Sequence, residues 1–288
     1  MRSIAIIGCG YTGLKVAQRW VSGGATVRGF ATRPDSLAAI AASGANAVAL
    51  DLDGESTAID AGDGVLYYSV PPAATAATDV RLERFLAGLS VSPSRFVYLS
   101  TTGVYGDHEG ADVDEATPVS PQSARAQRRV AAERSVIAWA DARQVSWCIL
   151  RIAGIYGPGR LPLERLRLAQ PVILAAEAGP GNRIHVDDLV ETCMLAGTAP
   201  QAHRRIYNVC DGAHGSMTDF LLRVARLTGL APPPQIPRME AERVLPPSMW
   251  SFLGESRRIS NRRLVEELGV QLRYADPDRG IRASLAAE

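Results

Sequence analysis

The feature that most constrains the fold is a glycine-rich turn directly after the first apolar segment. Residues 3–7 read SIAII, and the turn GCGYTG at residues 8–13 follows at once and opens an amphipathic stretch. A G-x-G-x-x-G turn between a strand and a helix indicates a dinucleotide-binding unit, whose backbone amides hold a pyrophosphate. A purely structural turn is the alternative. The residues of this loop predicted to bind the cofactor are Gly8, Gly10, Tyr11, Thr12 and Gly13.

Short apolar segments alternate with longer amphipathic ones as far as residue 152. The predicted strands are Ser3–Ile7, Thr26–Phe30, Ala47–Leu50, Val65–Ser69, Phe96–Leu99 and Ser146–Ile152. The predicted helices are Thr12–Ser22, Pro34–Ser43, Val80–Leu89 and Ser123–Arg143. This order predicts an α/β fold, a doubly wound parallel Rossmann sheet with helices on both faces.

After residue 152 glycine and proline interrupt the pattern. GIYGPGR at 154–160 and AGPGNR at 178–183 read as loops. Residues 231–247 carry PPP and PP, which excludes a long helix or a central strand, so this segment is an interdomain linker or a substrate-side loop. The last predicted helix is Ser260–Leu268, with Ser260 as N-cap and Gly269 after its end.

Composition excludes several classes of protein. The formal net charge is +1, which gives no reason to expect a nucleic-acid partner, and no run of eighteen apolar residues predicts a membrane span. The four cysteines lie far apart, which favours buried thiols in a reducing compartment over a disulfide or metal site. We expect a cytoplasmic protein with an NAD(P)-binding domain at 1–152 and a smaller substrate-side subdomain at 153–288, partly interleaved with the sheet.

The end of the second strand bears on the choice between NAD and NADP. NAD-binding domains usually place a carboxylate here for the ribose hydroxyls, but this chain has Thr32 and Arg33, and Asp35 comes only later. A guanidinium attracts a 2′-phosphate and a hydroxyl can donate to it. We therefore predict NADP as the preferred cofactor, with NAD as the second choice. A solvent-facing Arg33 is the alternative.

Two further strand ends face the same crevice. Asp51 could accept a hydrogen bond from the adenine amino group, or it could cap the following turn. The sequence Ser69-Val70-Pro71 ends the fourth strand and leaves its backbone beside the expected cofactor.

Six motifs occur in an order that resembles a known family. They are GCGYTG at 8–13, YLSTTGVYG at 98–106, DEATPVSP at 114–121, LRIAGIYGPGR at 150–160, RIHVDDL at 183–189 and YNVCDG at 207–212. This series resembles the extended short-chain dehydrogenases/reductases, also called the NAD-dependent epimerase/dehydratase family. It is most similar to the atypical members, in particular the small bacterial group related to YeeZ.

The resemblance implies catalytic positions, and one of them is altered. The family's Ser/Thr matches Thr101, and its Tyr-x-x-x-Lys pair precedes a glutamate on the next helix. Counting back from Glu133 places the tyrosine position at Arg125 and the lysine position at Arg129. Arginine has no acceptor and stays protonated, so Arg125 cannot replace the phenol as acid or base. Arg129 could still donate to the cofactor ribose or bind a phosphate, or both arginines could be exposed helix charges.

An enzyme would therefore need another proton donor. We rank Tyr105 first, because it follows Thr101 by four residues in a loop at the carboxyl end of the sheet. The resemblance implies that Tyr156 and His185 belong to segments that shape the substrate side, and we expect both to be structural.

Three functions follow. The first is an NAD(P)-dependent oxidoreductase or epimerase-like enzyme acting on a small polar molecule such as a nucleotide sugar. The second is a catalytically silent NADP-binding sensor or regulatory protein, and the third is a scaffold with an empty glycine turn. A homodimer through the helices 80–89 and 123–143 is a further expectation.

Overall fold

The structure, a computed structural model, describes residues 2–54, 58–74, 76–246, 249–250 and 253–287. In chain order the strands are β1 Ser3–Ile7, β2 Thr26–Ala31, β3 Asn46–Ala49, β4 Val65–Tyr68, β5 Arg95–Thr101, β6 Asp112–Val113, β7 Ser146–Ile152, β8 Gly154–Tyr156, β9 Val172–Ile173, β10 Arg183–His185, β11 Arg205–Val209, β12 Gln235–Ile236 and β13 Arg258–Ile259. Seven of them form one parallel sheet in the order β11-β7-β5-β4-β1-β2-β3.

Helices cover both faces of this sheet. They are α1 Tyr11–Ser22, α2 Pro34–Ala42, α3 Val80–Gly88, α4 Ala124–Ala142, α5 Leu163–Arg167, α6 Val186–Thr198, α7 Met217–Thr228, α8 Arg238–Val244, α9 Arg262–Glu266 and α10 Pro277–Ala286. The apolar sides of α1, α2 and α6 pack on one face, and those of α3 and α4 pack on the other. The predicted doubly wound parallel Rossmann sheet is confirmed.

The strands are apolar on both sides because each side faces a helix layer. In β1, Ile4 and Ile6 belong to the core under α1, while Ala5 and Ile7 belong to the core under α3 and α4. This alternation explains why the first segment reads as an unbroken apolar run.

A smaller layer lies beyond the carboxyl ends of the strands. It contains three short parallel pairs, β8 with β10, β9 with β12, and β6 with β13. Its own core joins Tyr156, Phe220 and Ile281. The strand β11 comes from the same half of the chain but lies at the edge of the main sheet. The domain division at residue 152 remains a prediction.

The sequence pattern misses or misplaces several C-terminal elements. The loop predicted at 154–160 contains β8. The helix predicted at Ser260–Leu268 spans Arg262–Glu266, and its N-cap is Asn261, one residue after the predicted Ser260. A further helix, α10, follows the one predicted to be last. Its interior Gly280 disguises the helical pattern. A Cβ there would lie 2.2 Å from the Tyr156 hydroxyl oxygen, so close packing against that ring requires glycine.

Two other findings concern the composition. All four cysteines are buried and unpaired. Within the described ranges, none of the helices is both long and apolar enough to cross a bilayer. The homodimer through α3 and α4 remains a prediction.

Candidate functional site

A cleft of about 810 Å³, the main cleft, lies at the carboxyl ends of β1, β2 and β4. Ligands of open parallel sheets bind at this kind of position, where the strand order reverses. All twelve residues predicted to bind the cofactor line the main cleft: Gly8, Gly10, Tyr11, Thr12, Gly13, Thr32, Arg33, Asp51, Ser69, Val70, Pro71 and Arg129. The structure therefore brings the predicted set together, while the role of each remains a prediction.

Gly8 makes the tight turn at the end of β1. Its φ is +84°, and its amide and that of Cys9 both donate to the Phe30 carbonyl, at 3.1 and 2.9 Å. A Cβ at Gly8 would lie 2.9 Å from Val70 Cγ2 and 3.1 Å from Ser69 Oγ. Both the left-handed backbone and the lack of space exclude a side chain here.

Gly10 and Gly13 serve different purposes. A Cβ at Gly13 would lie 3.0 Å from Ile6 Cγ2, so this glycine lets α1 approach β1. At Gly10 the nearest such neighbour is a carbonyl oxygen 4.0 Å away, so the backbone faces open space. The first turn of α1 has no acidic residue, and no side chain caps it. A diphosphate fits this positive helix terminus.

Ser69 attaches the end of β4 to the glycine turn. Its hydroxyl donates to the Gly8 carbonyl at 2.7 Å, and its amide donates to the Ile7 carbonyl at 2.9 Å. Val70 and Pro71 continue along the wall of the main cleft. This anchoring holds the turn against the crevice.

The far end of the main cleft carries the residues that bear on cofactor choice. Thr32 and Arg33 are exposed at the start of α2 and line the cleft together with Ser36. Asp35 is not among the described residues that line the main cleft. Two hydroxyls and a guanidinium therefore face the position that an NAD-binding carboxylate usually occupies.

Asp51 has the capping role that was one of its two alternatives. Its Oδ1 accepts a hydrogen bond from the Asp53 amide at 2.9 Å, and the residue also lines the main cleft. The sequence gave no indication of Arg81, which binds the Asp53 carboxylate through Nε and Nη2. These hydrogen bonds lower the pKa of Asp53 from its ordinary value. Arg81 lines the cleft as well and neutralises this acidic edge.

A buried ion pair sets the position of α4 over the sheet. Glu133 binds Arg151 of β7, with 2.8 Å between Oε2 and Nη2, and both side chains are buried. The Ser100 hydroxyl donates to Glu133 Oε1 at 2.6 Å. Arg129 and Arg125 lie one and two turns before Glu133, so this anchor decides where both arginines lie.

The two arginines face different spaces. Arg129 lines the main cleft, half-buried, and its Nη1 donates to the Tyr98 hydroxyl at 2.9 Å. Arg125 is absent from the described lining of the main cleft but lines a neighbouring cavity. Arg129 is therefore not a simple exposed charge, and neither position offers a phenol.

The placement of Tyr105 argues against the predicted proton transfer to a substrate. The residue follows β5 in a 3-10 turn at the carboxyl end of the sheet, as expected, but its side chain is fully buried. Its hydroxyl donates to Asn208 Oδ1 at 2.8 Å, and Arg151 lies 4.9 Å from its ring centroid. Tyr105 belongs to neither described cavity lining, so we correct its assignment to a structural one.

Tyr156 and His185 are packing residues in the structure. Both are buried, and their rings meet edge to face with 5.2 Å between the centroids. His185 caps α6 by accepting the Asp187 amide at its Nδ1. Burial lowers the pKa of His185, which keeps the ring neutral. The expected structural roles agree with these contacts.

A smaller space of about 380 Å³, the second cavity, adjoins the main cleft. Thr101 and Ala153 line both. The Thr101 Oγ1 accepts the Gly103 amide at 3.2 Å, which orients the hydroxyl at the junction. The family's Ser/Thr position is thus the point where the two spaces meet.

The second cavity has a lining that sequence reasoning did not find. Its charged residues within the described chain are one glutamate and four arginines: Arg125, Arg165, Arg183, Glu255 and Arg257. Apart from Arg125 they come from α5, β10 and the segment before β13. No local motif joins these segments, and only the fold brings them together.

The GIYGPGR segment crosses from this cavity to the glycine turn. The Tyr11 hydroxyl donates to the Pro158 carbonyl at 2.9 Å, and Arg160 stacks over the Tyr11 ring at 4.1 Å from its centroid. Arg160 lines the main cleft and adds positive charge next to the mouth of α1.

Comparison with known proteins gives similarity along the whole chain. The sequence profile of the NAD dependent epimerase/dehydratase family matches residues 4–210. The chain is 29% identical over 294 residues to the protein YeeZ of Escherichia coli strain K12, covering 96% of this chain and 98% of that protein. The structure of a functionally unknown conserved protein from Silicibacter pomeroyi DSS has a TM-score of 0.82 and 32% identity, with 100% of this chain and 99% of that one covered. UDP-glucuronic acid 4-epimerase from Bacillus cereus, in complex with UDP-glucuronic acid and NAD, shares the fold with a TM-score of 0.78, at 16% identity over 99% of this chain and 98% of that one.

Proposed function

Because the chain belongs to the NAD-dependent epimerase/dehydratase family, we propose that it is an NADP-dependent oxidoreductase or epimerase-like enzyme acting on a small polar substrate. One observation carries this proposal: the main cleft and the second cavity meet at Thr101. A dinucleotide in the first space and a substrate in the second would bring their reacting ends together there.

The residues of the main cleft fit NADP. The glycine turn and the mouth of α1 would hold the diphosphate, and Arg129 would donate to the ribose on the nicotinamide side. Arg33, with Thr32 and Ser36, would hold the 2′-phosphate. The nicotinamide ring, when bound, supplies or accepts a hydride.

Neither Arg125 nor Arg129 can exchange a proton with the substrate hydroxyl, so another group must do so. Glu255 is the one carboxylate among the described residues that line the second cavity, and its Oε2 accepts a hydrogen bond from Arg257 at 2.7 Å, which orients it. We assign it the proton: its carboxylate accepts the proton of a substrate hydroxyl, or returns it in the opposite direction. Thr101 donates a hydrogen bond to the same substrate oxygen.

The relative sizes of the two spaces bear on the substrate. A nucleotide sugar is nearly as large as a dinucleotide, whereas the second cavity, at about 380 Å³, has less than half the volume of the main cleft, at about 810 Å³. A substrate smaller than the nucleotide sugar suggested by the family fits better.

A specific observation favours a second candidate, an NADP-binding sensor without turnover. Both positions of the family's Tyr-x-x-x-Lys pair hold arginine, at Arg125 and Arg129. Cofactor binding would survive this change, whereas the family's proton transfer would not.

A titration tests the cofactor part of the proposal. We expect NADPH to bind about tenfold or more tightly than NADH, since charge-assisted hydrogen bonds contribute about 1.5–3 kcal/mol. Arg33→Gln should abolish this difference without weakening NADH. Arg19→Gln, on α1 but outside the described cleft lining, is the matched control and should keep it. Tighter binding of NADH to the unaltered protein would remove the assigned role of Arg33.

A turnover assay separates the two candidate functions. Purified protein with NADPH or NADP is given a panel of small aldehydes, ketones, hydroxy acids and nucleotide sugars, and both nicotinamide absorbance and products are followed. An enzyme should lose activity in Glu255→Gln but keep it in Glu242→Gln, an exposed control on α8. Tight NADPH binding with no product from any compound would favour the sensor.

A further inference from the structure

Arg165 is a cation in the lining of the second cavity. It lies in α5, and its Nε and Nη2 atoms are buried with no hydrogen-bond partner among the residues that the structure describes. Burial lowers the pKa of its guanidinium. A partly buried charge is costly when no counter-ion accompanies it, and none is present among the described residues.

Arg183, a buried arginine of the second cavity, has hydrogen-bond partners within the protein. Arg183 donates from Nη1 to the Gly215 carbonyl at 2.9 Å and from Nη2 to the Ser216 carbonyl at 3.1 Å. Its guanidinium also stacks on Phe220, 4.5 Å from the ring centroid. Arg183 is therefore bound by the fold, whereas Arg165 has donors left for a ligand.

The surrounding charge is positive on balance. Arg125 and Arg257 line the same cavity, and Glu255 is the one described carboxylate there, already bound by Arg257. The lining also includes apolar residues, among them Val172, Ile173, Met217 and Leu253. A ligand with one anionic end and a short, mostly carbon body matches a lining that combines arginines with an apolar wall.

We propose that the second cavity binds a small acid, a carboxylate or a phosphate monoester, and that Arg165 holds its anionic group. That this acid is the substrate rests on the proposed function, whereas the anion site is inferred from the cavity itself. The planar fork of an arginine suits two oxygens of one oxyanion. The apolar wall then receives the remainder of the molecule.

Calorimetry and thermal unfolding with two probe anions test the site. Inorganic phosphate and succinate are titrated at constant ionic strength, with and without saturating NADPH, and butane-1,4-diol serves as the uncharged analogue of succinate. We expect saturable binding of at least one anion and none of the diol. Arg165→Gln should weaken that anion about tenfold or more, and Arg165→Lys should restore part of the affinity. Arg167→Gln, an exposed residue of the same helix, should leave it unchanged.

Stability without anion gives an independent readout. Removal of an unpaired desolvated charge should leave the Tm of Arg165→Gln equal to that of the unaltered protein or raise it, while a structural arginine would lower it. Phosphate binding in preference to succinate, or the reverse, identifies the anionic group. Failure of both anions to bind, or equal binding to Arg165→Gln, overturns the inference. If the unaltered protein binds an anion but does not bind NADPH, the proposed function is contradicted and the anion site is retained.

Discussion

The main cleft and the second cavity are neighbours built on different principles. The main cleft is lined chiefly by four short stretches at strand ends, at residues 7–13, 30–33 with Ser36, 50–53 and 69–71. The second cavity is lined by residues from many separate segments between residues 101 and 257. Backbone geometry at a strand end depends on a few adjacent residues, whereas side chains from distant segments meet only in the folded chain.

This difference shows which site residues can be replaced while the fold and the cofactor loop are retained. Gly8 has no freedom, because a Cβ there meets Val70 and Ser69. Arg125, by contrast, is exposed on α4 and lines the second cavity. A protein of this fold can therefore keep its cofactor loop while the substrate side acquires new charges.

The largest effect should come from the anchor that the two regions share. Glu133→Gln leaves Arg151 buried without a counter-charge, and we expect a loss of about 3–5 kcal/mol in the free energy of unfolding. Urea denaturation measures it. Glu266→Gln, which removes an exposed partner of Arg262 at 4.0 Å, should cost no more than about 1 kcal/mol. Equal costs in the two variants would mean that α4 does not depend on the buried pair.

The next effect belongs to the main cleft alone. Gly8→Ala combines a left-handed backbone with a contact at 2.9 Å, and we expect a loss of about 2–4 kcal/mol and about tenfold or more in NADPH affinity. Gly24→Ala has a similar φ of +77° but open space around it. It should cost about 1–2 kcal/mol and leave NADPH binding unchanged. Unaltered NADPH binding in Gly8→Ala would contradict the glycine turn as the diphosphate site.

A smaller effect is expected from the buried Tyr105, which is close in sequence to Thr101 at the junction of the two regions. Tyr105→Phe removes the buried donor to Asn208 and should cost about 1–3 kcal/mol of stability. Because Tyr105 lines neither described cavity, kcat for any substrate found should not change. A large fall in kcat with stability intact would reinstate Tyr105 as a proton donor.

The smallest effect is a dependence of protein stability on pH, caused by a buried carboxylate on the substrate side of the molecule. Burial raises the pKa of Asp211 from 3.8 to about 7, with Arg183 opposing and Asp188 adding to the shift. The folded protein therefore holds a proton that the unfolded chain has released, so stability falls as pH rises from about 4 to about 7 and levels off above that. Between pH 6 and 7 we expect a fall of about 1 kcal/mol relative to Asp211→Asn. Parallel curves for the two proteins would exclude this titration.

Particular residues show how far sequence reasoning reached. The bounds of β1 and β7 coincide with the predicted segments, since both are long apolar runs in the sheet interior. The helix at Pro277 is missed because Gly280 breaks its pattern, although Asp276 before a proline is a helix-start signal that could have indicated it. In the site, counting back from Glu133 assigned Arg125 and Arg129 to the two family positions, and the structure places Arg129 in the main cleft and Arg125 in the second cavity. Arg165 and Glu255 had no such signal.

By itself the sequence determined the parallel sheet, the glycine turn and the residues along the main cleft. Each depends on hydrophobic periodicity or on a few consecutive backbone conformations, and both are local properties of the chain. The tertiary structure alone decided that Tyr105 is buried, that α4 is anchored through Glu133, and that Arg165 lines the second cavity with no hydrogen-bond partner for its Nε and Nη2 among the described residues. Burial, pairing and lack of a partner depend on which distant segments pack together, and no local pattern encodes that.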